Sequence, residues 1–169
     1  MYYFKAFIVY SILGFILEST VYKITNSNKY SGVLYGPYTF VYGFGGILIN
    51  YIYNHFNFDI NIYLKIFLLY LIFTITCTII EYSIGHLIHF IYKIDKCNYS
   101  NHKYHFGKYI CLSYALIWGL LSIILMFYGN DFINNIIQSI HDYNAIFIYL
   151  ILVIDFIITT KKSLTNVKL

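Results

Sequence analysis

Three carboxylates stand where a chain of this kind should not carry any. Glu18, Glu81 and Asp155 each fall inside a long apolar run. If those runs cross a bilayer, each buried charge costs about 2.5–3.5 kcal/mol on insertion scales. No lysine lies deep in any run, and the chain has no arginine, so no fixed cation offsets them. Such acids must be protonated, hydrogen-bonded to hydroxyls and backbone N–H groups, or paired with a visiting cation. At 1.5 Å per helical residue, Glu18 lies ~7 Å and Asp155 ~9 Å inside the nearest lysine, and Glu81 ~18 Å. The depths place all three on one half of the bilayer, able to open to one cavity.

Helical spacing gives two of these acids polar company. Ser11, Gly14, Glu18 and Tyr22 share one face, and Thr74, Thr78, Glu81, Gly85 and His89 share another. Cys111, Ala115, Gly119 and Ser122 form a stripe of small residues beside Trp118, of the kind that lets helices approach closely in lipid.

A fourth feature is the stretch GVLYGPYTFVYGFGG at 32–46, which holds the only proline and five of the ten glycines. Pro37 removes a backbone donor, and Gly36, Gly43, Gly45 and Gly46 permit close approach or unwinding. Irregular backbone at membrane depth is tolerated only against protein or a wet cavity.

Composition requires the bilayer. Of 169 residues, 60% are hydrophobic and 11% charged, against roughly 45–50% and 25% in soluble domains. Apolar segments are expected near 3–22, 33–53, 63–92, 109–128 and 143–160, with a short amphipathic helix over 130–142 on the outer surface. The fold class expected is all-α: one integral membrane domain of about five transmembrane helices. Nine of the eleven lysines fall in 23–32, 93–108 and the tail after 160. The positive-inside rule then puts the N-terminus outside and the C-terminus in the cytoplasm.

Cys77, Cys97 and Cys111 form no CxxC pair, so no disulfide scaffold is expected. His86, His89, His102 and His105 form two H-x-x-H pairs, read as interfacial histidines rather than metal ligands. No P-loop, H-E-x-x-H or G-x-S-x-G motif is present. No cofactor, metal or catalytic residue is assigned.

Gly14-Phe15, Glu18-Ser19, the 32–46 stretch, Glu81-Tyr82 with Gly85, the NYS of 98–100 and ICLSYALIWGLL at 110–121 resemble the putative ABC-transporter type IV family. These are small bacterial integral membrane proteins labelled as transporter permeases. The resemblance covers residues 11 to about 127. It implies a transport role in the bacterial cell membrane, as a permease-like or accessory subunit. The family usually shows Trp-Asp-Tyr-Ser where this chain has Cys97-Asn98-Tyr99-Ser100, so one acidic position is lost.

The candidate binding cavity comprises Glu18, Gly36, Pro37, Tyr38, Tyr42, Glu81, Tyr82, Tyr99, Ser100, Ser113 and Trp118, with Glu81 as the cation or proton site. Expected partners are membrane lipids, with a separate nucleotide-binding ATPase subunit and a second copy of the chain also open; nucleic acid is not among them. Two other readings stand beside transport. One is an intramembrane enzyme on a lipid or isoprenoid, using Glu81 with His86 or His89. The other is a non-catalytic partner of another membrane protein.

Overall fold

The computed structural model describes residues 1–27, 30–56, 59–95 and 98–166; Lys29, Lys96, Cys97 and Lys168 lie outside them. The described chain is almost entirely helical: α1 (Tyr2–Ile24), α2 (Phe40–His55), α3 (Ile62–Tyr92), α4 (Leu112–Ile124), α5 (Asn130–Ser139) and α6 (Asp142–Asn166). A hairpin of two-residue strands, β1 (His105–Phe106) and β2 (Ile110–Cys111), precedes α4. A five-residue π-helical turn, Leu125–Gly129, joins α4 to α5 without a break. Four units are long and apolar enough to cross a membrane: Tyr2–Ile24, Ile62–Tyr92, Leu112–Ser139 and Asp142–Leu164. Most of their large side chains face outward, which suits lipid as the solvent.

Alternate elements run in opposite directions. One end of the bundle gathers Met1, the end of α2, α5 and the start of α6. The other gathers the end of α1 with the 30–39 segment, the end of α3 with the 98–111 segment, and α6 around Asp155 to Thr160. This second, loop end carries Lys23, Lys93, Lys103, Lys108, Lys161 and Lys162.

Two expectations are corrected. The second apolar segment was expected to be membrane helix from 33, yet α2 starts only at Phe40 and has 16 residues. The reason lies in where the backbone donors go: Gly32 takes φ +68, Pro37 has no N–H, and the amides of Tyr35 and Gly36 bond a side chain of α6. The 130–142 segment was expected on the outer surface. Instead α5 continues the α4 helix and packs on α1, burying Ile133 and Ile137.

Packing explains why α1 and α2 hold tightly. A Cβ on Gly14 would overlap the Tyr42 ring, and one on Gly46 the Tyr10 ring. The core lies toward the Met1 end, around Leu69, Phe73, Met126 and Ile137, all essentially inaccessible. Beside it Asn50, 2% exposed, links three helices. Its amide donates to Asn130 Oδ1 at 2.9 Å and to Tyr10 Oη at 3.4 Å, and its oxygen accepts from Tyr2 and Asn54. Tyr2 also donates to Asn134 at 2.6 Å. A buried amide is tolerated because its groups are partnered.

Candidate functional site

The segment 30–39 is a long non-helical stretch that penetrates the bundle. The Thr39 amide donates to the Ser11 carbonyl at 3.1 Å. Ser11 stands twelve residues before Lys23, so irregular backbone reaches ~18 Å into the bundle from the loop end. Two carboxylates hold it. On α1, Glu18 accepts from Ser31 Oγ at 2.7 Å and from Tyr22 Oη at 2.6 Å. Ser31 and Thr39 hydroxyls meet at 3.1 Å, closing the segment on itself. On α6, Asp155 accepts from the Gly36 amide at 2.7 Å and the Tyr35 amide at 3.2 Å. Thr159 Oγ1 and the Tyr38 hydroxyl complete its shell. These hydrogen bonds do the work that helical carbonyls would do in a regular span.

The third carboxylate holds the other loop. Glu81 on α3, 8% exposed, accepts from Tyr99 Oη at 2.6 Å. The Trp118 indole of α4 also hydrogen-bonds it. Trp118 stands edge-on to Tyr42 with ring centroids 5.5 Å apart, and Tyr42 lies against Gly14. Tyr99 stacks on Tyr114 at 4.8 Å. Contact therefore runs unbroken from α1 through Tyr42, Trp118 and Glu81 to the 98–104 loop.

Of the eleven candidate residues, the structure brings Glu81, Tyr99, Trp118 and Tyr42 into one contact group. Glu18, Gly36 and Tyr38 belong to the neighbouring segment, where Tyr38 is buried and Pro37 exposed. Tyr82, Ser100 and Ser113 are exposed and stand outside both groups. Tyr82 packs instead on His86, whose ring also meets Tyr109 at 4.8 Å.

His89 Nδ1 stands 2.8 Å from Asp95 Oδ1. Neither histidine is placed on Glu81, so the acid–base pair of the enzyme reading is not assembled. Asp95 also accepts from Tyr109 Oη at 2.7 Å and Lys108 Nζ at 2.9 Å. These donors hold its carboxyl down to about 2.

Sequence reasoning left Asp155 out of the candidate set and missed Ser31 and Thr39. Their partners are more than a hundred residues away or lie in an irregular turn, and neither relation has a periodic signature. The Asn50 group had a signal, since Asn50 with Asn54 and Asn130 with Asn134 share i,i+4 spacing.

Two apolar grooves open on the flanks. One of about 430 Å³ lies between α1, α2 and α6 and is lined by rings including Phe7, Phe44 and Phe156. The other, about 520 Å³, lies between α3, α4 and the hairpin. Neither is lined by the three carboxylates.

The family described as putative ABC-transporter type IV matches residues 5–163 of the chain. No curated protein and no solved structure matches it.

Proposed function

The chain belongs to the putative ABC-transporter type IV family, and from that premise we propose that it serves as the membrane-embedded, permease-like or accessory subunit of a transporter. It is a multi-pass membrane protein of the ABC-transporter type. The observation that carries the finer reading is the treatment of its three span carboxylates. The side-chain and backbone donors described on Glu18, Glu81 and Asp155 are all neutral. Each carboxylate ties an irregular segment or its neighbouring helix into the bundle. A site of this kind can take a proton or a cation by rearranging hydroxyl donors, without breaking a salt bridge. Glu81 is the residue we assign to that exchange, with Tyr99 and Trp118 as its switchable partners. Gly36 and Tyr38 shape the approach.

The lysine-rich loop end faces the cytoplasm in this reading, as the charge asymmetry favours, and the protein resides in the cell membrane. A nucleotide-binding ATPase subunit would then meet that end and supply the energy.

The test is purification from native membrane in mild detergent with mass spectrometry of what co-elutes. A stoichiometric nucleotide-binding subunit is expected. Glu81→Gln should leave that assembly intact and lower its transport-coupled ATP hydrolysis at least tenfold. A chain that elutes without any ATPase would overturn the subunit role, and unchanged hydrolysis in Glu81→Gln would overturn the role of Glu81.

A further inference from the structure

The hairpin before α4 is an unusual object for a membrane protein to expose. Tyr104 is 59% exposed and Phe106 77%. Gly107, at φ +65, turns the chain so that His105 pairs with Cys111 and Phe106 with Ile110. The Leu112 amide donates to the Tyr104 carbonyl at 2.9 Å, fixing the hairpin to the start of α4. From the other side, Asp95 holds Lys108 and Tyr109. The hairpin is therefore anchored, and its exposed rings are held in place.

What it covers is apolar. Tyr104, His105 and Phe106 roof the groove of about 520 Å³ whose floor is Ile75 and Ile79 of α3 with Leu112 of α4. That volume is in the range of small-ligand sites. Ile75 and Ile79 are each 59% exposed on a helix long and apolar enough to span the bilayer, so the groove opens on the lipid side.

One lysine touches the lining: Lys103 lies over the Tyr104 ring at 5.5 Å. Elsewhere on the loop end Lys93 lies over Phe90 at 5.4 Å and Lys162 over Tyr35 at 5.5 Å. All three aromatic–lysine pairs stand at the loop end. The described lysines there number six (Lys23, Lys93, Lys103, Lys108, Lys161, Lys162), and the acid among them, Asp95, is already engaged. At the opposite end Lys5 is paired with Asp142. Lysines carried on aromatic rings at one end of a bundle are what an anionic leaflet selects.

We propose that the groove between α3, α4 and the hairpin binds an anionic phospholipid. An acyl chain lies along Ile75, Ile79 and Leu112 beneath Phe106, and the phosphate meets Lys103 and His105. A lipid is favoured over a docked protein because the floor is continuous with the bilayer-facing surface of α3, where acyl chains already lie. The assignment is independent of the transport reading.

Two measurements on the full chain test it. Phe106→Trp is placed in nanodiscs containing phospholipid brominated near the headgroup, with the wild type, whose only tryptophan is Trp118, as reference. The added emission should be quenched by at least half. Native mass spectrometry in equimolar phosphatidylglycerol and phosphatidylcholine should show preferential retention of the glycerol lipid. Lys103→Gln should cut that preference about fivefold, the effect of one surface lysine on an anionic leaflet. An unquenched Phe106→Trp, or equal retention of the two lipids, overturns the site. Shielding of Phe106→Trp only when another protein is bound would also overturn it and make the hairpin a protein-docking surface.

Discussion

Removing the Asp155 carboxylate should free the 30–39 segment while leaving the helices in place. In Asp155→Ala the Gly36 and Tyr35 amides lose their acceptor, now met at 2.7 and 3.2 Å. The site is buried, with Asp155 at 9% exposure, so water does not replace the lost oxygens freely. A hydrogen bond to a charged group is worth about 1.5–3 kcal/mol, and an unmet buried donor costs about 1–3 kcal/mol. The shorter bond alone sets the scale at about 3 kcal/mol, since the longer one is weaker and the segment can relax. At 1.4 kcal/mol per factor of ten, amide exchange at Tyr35 and Gly36 should rise about a hundredfold. The assay is hydrogen exchange with peptide-level mass spectrometry in detergent. Amides within α1 and α3 serve as internal references and should keep their protection. Asp155→Asn is the sharper variant, because one of its two positions becomes a donor and can no longer accept from a backbone amide. It should show an intermediate rise. If exchange in the 30–39 segment changes less than threefold in Asp155→Ala, the carboxylate does not hold the segment, and the reasoning fails.

Two further expectations follow from the same packing and charges. Gly14→Ala would drive a methyl into the Tyr42 ring and push it off Trp118, costing about 1–3 kcal/mol by overpacking; thermal unfolding should show the loss and Trp118 emission should shift. Gly45→Ala, with nothing within 4 Å of its Cβ, should be neutral or slightly stabilising and is the paired control. The hairpin tether should also be insensitive to mild acid. Asp95 has its carboxyl lowered from 3.8 to about 2, chiefly by the Tyr109 hydrogen bond and then by Lys108. A depressed carboxyl contributes stability that is present above its unfolded value and lost as pH falls through its folded value. Protection of the hairpin amides relative to their intrinsic exchange rate at each pH should therefore be flat from pH 7 to 5 and fall only toward pH 2, whereas Asp95→Asn should lower it at neutral pH; a fall between pH 7 and 5 in the wild type would contradict this.

The sequence made the membrane class and the long helices legible because apolar runs report the solvent directly. The unusual composition of 32–46 was also legible, and so was the rule that irregular backbone must face protein. What could not be read was the end of that irregularity. Apolar content continues through Val33 and Leu34, so periodicity places a helix there. The decision belongs to Asp155, whose bonds to Tyr35 and Gly36 span 120 and 119 residues. The polar character of 130–142 suggested a surface helix, yet its asparagines meet Tyr2 and Asn50 inside the protein. A polar residue in a sequence does not say whether water or another amide will satisfy it. Tyr82, Ser100 and Ser113 entered the candidate cavity with the family motifs that contain them, and each is exposed.

The two ends of the bundle are held by different chemistry, and this difference decides which end can move. At the Met1 end, Asn50, Asn130, Asn134, Tyr2 and Tyr10 form a network of neutral groups beside the best-packed part of the core. Exchanging one partner there leaves an amide stranded in a buried site, and no proton or cation entering it would find a charge to meet. Glycine contacts between α1 and α2 also forbid sliding, because ring and backbone already touch. At the loop end the acceptors are carboxylates and the donors are hydroxyls and free backbone amides on irregular segments. A hydroxyl can turn from one acceptor to another, and a carboxylate that takes a proton releases a donor without leaving a bare charge. Thus the segments 30–39 and 98–104 can change partners while the helices that carry Glu18, Glu81 and Asp155 stay fixed. If Glu81 exchanges a proton or cation as proposed, the motion coupled to it belongs to the lysine-rich loop end, and the well-packed Asn50 end is the part expected to stay fixed.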